Sequence, residues 1–176
     1  MANLNNLKVA AGSLITLGGV DLGHTVEGTE LSIERDLTEV KTDLYGSTPV
    51  DYVIAGQKAT IKLKLAEIIP NVLSYLLPEG DYDIGSADDQ VHFGTKAGYS
   101  LRQDALQLVI TPQGGNTDGN LTITLFKAVQ TGNISLAYKV DEQSVWDGVE
   151  FTALVDESRS ATDGRLLGRF GPNLIS

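Results

Sequence analysis

The strictest pattern in the chain is an alternation of apolar and polar side chains from Lys58 to Leu65. A period of two over this length predicts a β-strand with one face buried and the other in water. A shorter segment, Glu30 to Glu34, alternates in the same way and predicts a second half-buried strand. If the two strands pair, Glu and Lys side chains share the wet face, where opposite charges are mildly favourable. The residues expected on that wet face are Glu30, Ser32, Glu34, Lys58, Thr60, Lys62 and Lys64.

A polar arm, residues 35–57, separates these two strands. Tyr45-Gly46 and Thr48-Pro49 interrupt it, and it is too long for a simple hairpin connection. Such an arm is hard to explain in an enzyme core and easier to explain in a subunit that grips a neighbour. We therefore expect Asp36 to Gly56 to make contacts between subunits and to be mobile in a free monomer. The expected contact residues are Asp36, Glu39, Lys41, Asp43, Tyr45, Asp51 and Tyr52.

A helix is predicted immediately after the second strand, from Ile68 to Leu77. Its apolar residues recur every three to four positions and form one wide stripe. Pro70 falls in the first turn, where a missing N–H costs little, and Pro78 and Gly80 end the helix. The stripe is expected to seal the apolar back of the two strands.

The second half of the chain predicts further strands about ten residues apart, a spacing typical of a β-sandwich or barrel. Gly, Asp and Asn residues mark the turns between them. The expected fold is mainly β: a sandwich or partial barrel with one flanking α-helix and a long extended loop. Nothing suggests a second domain, so residues 1–176 form one unit with terminal arms at 1–12 and 157–176. The strands expected outside the hairpin are 14–17, 91–93, 105–111, 121–128, 134–140 and 149–155.

The charge and composition exclude several classes of function. A formal net charge of −10 argues against gripping nucleic acid, because phosphate affinity comes largely from Lys and Arg. The chain has no Cys, and His24 and His92 have no partner at ligand spacing. Asp81 to Gly85 begins like a calcium loop but departs from the pattern, so a structural loop is the better interpretation. We expect no enzyme activity, no catalytic residue, no metal site and no cofactor.

Two smaller features complete the expectations. Trp146, the single Trp, lies beside a turn and is expected to cover one end of the core rather than to be an exposed contact. No apolar run approaches the roughly 20 residues that a membrane helix needs, and no secretory signal is visible. The sequence therefore predicts a soluble protein made in a cytoplasm.

Two passages resemble the tail tube (major tail) proteins of tailed bacteriophages in the order of their elements and in their general residue pattern. The first passage runs from Gly19 to Leu31 and continues through residues 43–51 and 61–67. The second covers residues 121–145 and 149–156. The resemblance extends from about residue 18 to residue 170 and lies in the sequence of elements rather than in an invariant motif.

The resemblance implies a small β-sandwich whose strands complete an inner β-barrel when six copies close into a ring. Rings stack into a hollow tube, the long loop of each subunit reaches its neighbours, and the terminal arms help to join rings. The partners it implies are the chain itself, the tape measure protein, other tail proteins and double-stranded DNA that passes without specific binding, with no membrane. The wet face would then line the lumen. The protein would belong to the virion and assemble in the bacterial cytoplasm.

Three other functions stay open. The first is another β-sandwich of a phage particle, such as a tail terminator or a capsid decoration protein. The second is a carbohydrate-binding or adhesive module, which usually displays exposed aromatic side chains; at 6% aromatic residues the composition counts against it. A hydrolase is the weakest of the three.

Overall fold

A computed structural model describes residues 12–67, 69–83, 89–94, 96–114, 121–138 and 140–171. Most of the expected N-terminal arm, Ile68, the centre of the hairpin connection at 115–120 and the last five residues lie outside the described part. The described residues are mainly β with one α-helix, which confirms the expected fold class. The strands are β1 (Gly12–Leu17), β2 (Val20–Asp21), β3 (Thr25–Lys41), β4 (Pro49–Leu65), β5 (Asp81–Asp83), β6 (Gln90–His92), β7 (Leu106–Gln113), β8 (Ile123–Gln130), β9 (Ser135–Leu136), β10 (Trp146–Ala153) and β11 (Gly168–Phe170).

One large antiparallel sheet has the strand order β2-β1-β7-β8-β10-β4-β3. β11 adds to β8 and β9 adds to β10, while β5 and β6 form a separate two-stranded hairpin. The large sheet curls until β1 meets β3, where the hydroxyl groups of Ser13 and Thr29 lie 3.2 Å apart. This curvature gives the sandwich-like shape and leaves a single core between the layers.

The core is built by both halves of the chain. Ile15, Ile61, Leu108, Phe151 and Leu125 are all buried in one continuous cluster. Burying each such side chain contributes about 1.5–3 kcal/mol relative to leaving it in water. The alternating apolar residues of the predicted strand are all part of this core, as the sequence pattern predicts: Ala59, Ile61, Leu63 and Leu65.

The helix α1 runs from Pro70 to Leu76 and buries Val72 and Leu76 against the sheet. Pro70 occupies the first turn as expected, with Ile69 extended in front of it. The helix is shorter than the expected range because Ile69, which precedes Pro70, is extended and Leu77, at φ −127° and ψ 65°, has left the helical conformation. Pro78 follows at once, and a proline cannot continue the hydrogen-bonded ladder.

The expected strand at 134–140 is wrong for most of its length. Among its described residues, only Ser135–Leu136 pairs with β10, and Tyr138 and Val140 are exposed. β10 is bulged between Trp146 and Val149, so its ladder with this segment ends after two residue pairs. Trp146 itself is half-buried and packs against the core, as expected.

Two segments expected to be irregular are ordered into strands. Asp81–Asp83, assigned as a loop, pairs with Gln90–His92. The described part of the expected C-terminal arm folds back, and β11 joins the sheet beside β8. A single buried carboxylate, Asp156, fixes the start of this return: it accepts hydrogen bonds from Ser158 and from Arg159 at 3.0 Å. Residues 157–171, expected as part of a C-terminal arm, therefore pack on the body.

Candidate functional site

The most distinctive part of the molecule is a hairpin of two 17-residue strands, β3 and β4. Its ladder runs from the pair Thr25 and Leu65 to the pair Lys41 and Pro49. The arm that the sequence predicts as an irregular loop is thus a continuation of both strands. Bulges near Asp36 and Val40 absorb the extra residues of β4 and keep the strands paired.

The hairpin has two halves with different surroundings. In the base half, residues 25–33 and 58–65, one face of the sheet covers the core. In the distal half, residues 34–41 and 49–57, nearly every side chain is exposed, including those on the face that continues from the core. At about 3.4 Å per residue, the stretch from Glu34 to Lys41 spans roughly 24 Å. The distal half therefore projects well beyond the body.

The distal half presents two open backbone edges. β3 is the last strand of the sheet order, and β4 is paired with β10 only between Thr60 and Leu65. Along Pro49–Ala59, β4 therefore has no second strand partner among the residues that the structure describes. Unpaired N–H and C=O groups along a long edge are a template for pairing with another chain.

Large apolar side chains are exposed along the same distal half. Leu37 pairs with Ile54 across the hairpin, on the face that continues from the core residue Leu31. Val40 and Val53 lie on the opposite face, as the alternation of β3 and the register require. The exposed apolar residues of this half and its turn are Leu37, Val40, Leu44, Tyr45, Val50, Tyr52, Val53 and Ile54.

The expected contact residues of the arm are all exposed, and most of them are charged. Tyr52 donates a hydrogen bond to Glu39 at 3.4 Å, and Lys41 forms an ion pair with the same carboxylate. Tyr45 ends a short 3₁₀ turn, Asp43–Tyr45. Sequence reasoning missed the apolar partners of these residues, although β-branched and aromatic enrichment from Val50 to Ile54 is a strand signal. The expected contact residues found exposed here are Asp36, Glu39, Lys41, Asp43, Tyr45, Asp51 and Tyr52.

The wet face of the base half is assembled in the expected register. Glu30 lies opposite Lys62, Ser32 opposite Thr60, and Glu34 opposite Lys58. β10 widens this face, since Glu150 lies opposite Lys62 and Thr152 opposite Thr60 on its other side. The face is therefore three strands wide and carries alternating charged and hydroxyl rows.

Thr60 corrects one expectation, because it is only 4% exposed. Strands cover it on both sides: Ser32 on β3 and Thr152 on β10 are its direct neighbours. Thr152 in turn shares a hydrogen bond with Thr131 at 2.7 Å. Hydroxyl-bearing side chains on both neighbouring strands cover Thr60. It is therefore buried beneath the wet face and is not one of the exposed groups of that face.

Two of the wet-face lysines, Lys62 and Lys64, form ion pairs with carboxylates, although not with the Glu side chains of Glu30 to Glu34. The ammonium group of Lys62 lies 3.7 Å from the carboxylate of Glu150 on β10. Its ion-pair partner is therefore on β10 and not on β3. Lys64 lies 2.8 Å from Glu27 and 3.5 Å from Asp147. The hydrogen bond to Glu27 is the main reason that the pKa of Lys64 is raised above its ordinary value. Glu27 reaches Lys64 from a bulge in β3, where its own φ is 62°.

Carboxylates outnumber ammonium groups on and around this face. Glu27, Glu30, Glu34, Asp147 and Glu150 surround Lys58, Lys62 and Lys64. The exposed surface at this side of the hairpin is consequently negative overall, with each lysine beside an acidic neighbour. Such a surface repels phosphate more than it attracts it.

The described residues contain no candidate metal site and no candidate membrane helix. Within the described ranges, no group of three or more His, Asp or Glu side chains could hold a metal ion. The loop considered for calcium has Asp81 and Asp83 on β5, and residues 84–88 lie outside the described part. No helix among the described residues is long and apolar enough to cross a membrane. Comparisons with models of known protein families and with curated proteins find no match.

Proposed function

We propose that the chain is the structural subunit of a bacteriophage tail tube. Copies assemble into stacked hexameric rings, and the rings form the hollow conduit for the tape measure protein and for the genome during ejection. The hairpin β3–β4 is the observation that carries the proposal. It extends two strands about 24 Å beyond the body with open edges and exposed apolar side chains.

Energetics favour a partner for this hairpin. A two-stranded ribbon alone is marginally stable in water, and apolar surface left in water forgoes about 25 cal/mol per Å². A second copy that pairs along β3 satisfies the open edge, and packing of its surface on the distal face covers the apolar side chains. A contact between an edge of one copy and a different surface of the next is heterologous, and such contacts generate rings or filaments.

The wet face suits the wall of a channel. A barrel that leaves an aqueous channel needs many more strands than one chain supplies, so the wall must be shared between copies. The polar face of β3, β4 and β10 then points into the lumen while the apolar face stays on the core. The lumen residues of this arrangement are Glu30, Ser32, Glu34, Lys58, Lys62 and Lys64. The negative balance lets DNA slide because phosphate finds few unpaired cations.

The number of copies and the other partners come from the resemblance to tail tube proteins. Six copies per ring, stacking of rings, and contacts with the tape measure protein are features that the resemblance implies. A tail terminator or a decoration protein shares the sandwich but does not need to polymerise without limit. Unlimited polymerisation therefore separates the proposal from these alternatives.

Replacing Asp36–Gly56 by a two-residue Asn-Gly turn tests the proposal. The shortened hairpin keeps the cross-strand residue pairs of the base half and the pair Arg35 and Gln57, so the body is expected to fold. Asn-Gly is a favoured two-residue hairpin turn. Sedimentation velocity is expected to show a monomer at concentrations at which the unmodified chain polymerises. Circular dichroism controls for folding. Polymers that form equally well without the arm would remove its role in assembly.

A further inference from the structure

The outer edge of β3 is open at the base of the hairpin as well as in its distal half. β3 is the last strand of the sheet order, so among the described residues no strand pairs with its outer edge beyond Thr29. Leu31 packs against the core, whereas Ile33, two residues further along the same face, is 46% exposed. The base of the hairpin therefore offers an unpaired backbone edge beside an apolar side chain that is half in water. Such an edge is a template for a further strand.

β1 meets this edge and runs antiparallel to it. The Leu22 N–H donates to the Ile15 carbonyl at 2.9 Å, before β3 begins. Further along, the Thr29 hydroxyl lies 3.2 Å from the Ser13 hydroxyl. The contacted position on β1 thus moves back toward its first residue, Gly12, as the chain advances into β3. The residues that precede β1 are consequently the next to meet β3 beyond Thr29.

The sequence before β1 continues the alternation of that strand. Ile15 and Leu17 are buried, so every second residue of β1 faces the core. Residues 1–11 lie outside the described part of the chain, but the same period extends back into their sequence, with Lys8 on the opposite face. A period of two indicates a strand with one buried face. The residues that continue the core-facing series are Leu7, Val9 and Ala11.

The contact between the two hydroxyl groups sets a register. Each step back along β1 moves the partner one step forward along β3, which places Val9 opposite Ile33 and Lys8 opposite Glu34. Both pairs suit their faces: Val9 covers the exposed apolar side chain, and opposite charges meet on the wet face, where such pairs are mildly favourable. A slip of one residue would place Val9 in water and Lys8 on the core face.

We propose that residues 7–11 continue β1 as a strand along the outer edge of β3, paired with residues 31–35 of the same chain. The segment starts where β1 already contacts β3, so it needs no linker to reach the edge. The sheet then closes on itself at the base of the hairpin, and closure removes an edge. Residues 37–41 of β3 stay open to a second copy. The inference concerns one chain and holds whether or not the chain forms a tube.

Engineered disulfides test the register, because the chain has no cysteine of its own. Opposed residues of an antiparallel pair have Cα atoms about 4.5–5.5 Å apart, a distance that a disulfide spans. One doubly substituted chain carries Val9→Cys with Ile33→Cys, and another carries Lys8→Cys with Glu34→Cys. Exchanging the partners gives two matched controls, in which Val9→Cys is combined with Glu34→Cys and Lys8→Cys with Ile33→Cys. The thiols of each control lie on opposite faces.

The rates of disulfide formation distinguish a paired segment from a loose tether. Oxidised glutathione takes up the electrons and protons of the two thiols and leaves as two molecules of reduced glutathione. The two same-face chains are expected to form the intramolecular disulfide about tenfold faster than the controls, because the register holds their thiols at a high effective concentration. All four loops are nearly equal in length, so a loose tether would close them at nearly equal rates. Equal rates in the four chains would overturn the proposal.

A mixing experiment identifies the chain to which the bound segment belongs. A chain with only Val9→Cys is mixed in dilute solution with a differently tagged chain that has only Ile33→Cys. The heterodimer is expected to form about tenfold more slowly than the internal disulfide of the doubly substituted chain, because the partner thiol is then at its bulk concentration. Heterodimer that forms as fast as the internal disulfide would assign the edge to a segment of a second copy and overturn the proposal.

Deletion of residues 2–11 gives a readout that needs no cysteine. In the dissociated chain, the outward-pointing amides of residues 31–35 are expected to exchange with solvent about tenfold faster after the deletion, because their edge is then unpaired. The amide of Leu63, on a strand that is paired on both sides, is the internal control and is expected to exchange at an unchanged rate. Unchanged exchange at residues 31–35 would contradict the pairing.

Discussion

The two halves of the β3–β4 hairpin have the same pairing but different surroundings. In the base half, Ile61, Leu63 and Leu65 are buried in the core, and β10 pairs with β4 on its other side. In the distal half, Ile54 and Val53 continue the same strand with both faces exposed and the outer edge open. Backbone pairing alone therefore does not distinguish a strand that supports the core from a strand that is exposed on both faces. The packing on each face distinguishes them.

This difference predicts where stability resides. The base half gains from burial on one face and from two strand neighbours, whereas the distal half has one strand neighbour and little burial. Segments with few buried contacts open locally at a small fraction of the global free energy. The distal half is thus expected to tolerate substitution in the free monomer and to gain its order from assembly.

Matched Ile→Ala substitutions on β4 give the largest expected contrast. Ile61→Ala removes a fully buried side chain and is expected to lower the free energy of unfolding by about 2–5 kcal/mol. Ile54→Ala, on the exposed half of the same strand, is expected to change it by no more than about 0.5 kcal/mol. Urea unfolding of the dissociated chain measures both. Equal losses at the two positions would show that the halves are not different in packing.

Amide hydrogen exchange sharpens the same comparison without mutation. In the dissociated chain, the amides of β4 around Leu63 are expected to exchange about 100-fold more slowly than those around Val53, because the former segment has strands on both sides. Assembly is expected to slow exchange at Val53 and to leave Leu63 unchanged. Uniform protection along β4 in the monomer would contradict the account.

Acid unfolding tests the body, where the buried carboxylate of Asp156 lies. Hydrogen bonds from Ser158, together with the nearby Arg159 and Lys127, hold the pKa of Asp156 below its ordinary value of 3.8. The folded state therefore favours the charged form, so this stabilisation is present above pH 3.8 and is lost as the pH falls through the lowered pKa. The drop in urea midpoint between about pH 6 and about pH 3 is expected to be smaller in Asp156→Asn than in the unmodified chain. An identical drop would show that other carboxyl groups govern the transition.

The smallest effect is expected on the wet face. Lys62 and Glu150 form a partly exposed pair 3.7 Å apart, and surface pairs contribute about 0–1 kcal/mol. Lys62→Ala is therefore expected to leave unfolding by urea nearly unchanged while it makes the face more acidic. A loss as large as that of Ile61→Ala would assign this face a structural role that the account denies.

The sequence predicts the base half well and the distal half poorly, for one physical reason. A period of two is visible only where one face is buried, so Lys58 to Leu65 shows it clearly. Residues 35–57 expose both faces, and their bulges shift the register. The spacing of their apolar and polar residues therefore does not predict two continuous strands. Thr60 was expected in water for a related reason: the pattern gives its face but not the neighbouring hydroxyl groups that cover it.

An apolar groove of about 440 Å³ between the base of the hairpin and the C-terminal segment was beyond sequence reasoning, because it is made by topology. Ile33, Leu125, Val155 and Phe170 are far apart in the chain, and they meet only because β11 returns to β8 beside the base of the hairpin. The expectation of a C-terminal arm at 157–176 gave no sign of this return. Its anchor, Asp156, is a single acidic residue among many, and composition does not mark it as buried.

Electron microscopy of the purified, unmodified chain tests the central claim most directly. The account predicts long hollow polymers of uniform diameter, built from stacked rings, whose inner wall is the polar face of β3, β4 and β10. A chain that stays monomeric at high concentration, or polymers with Lys58 and Lys62 on the outer wall, would contradict it.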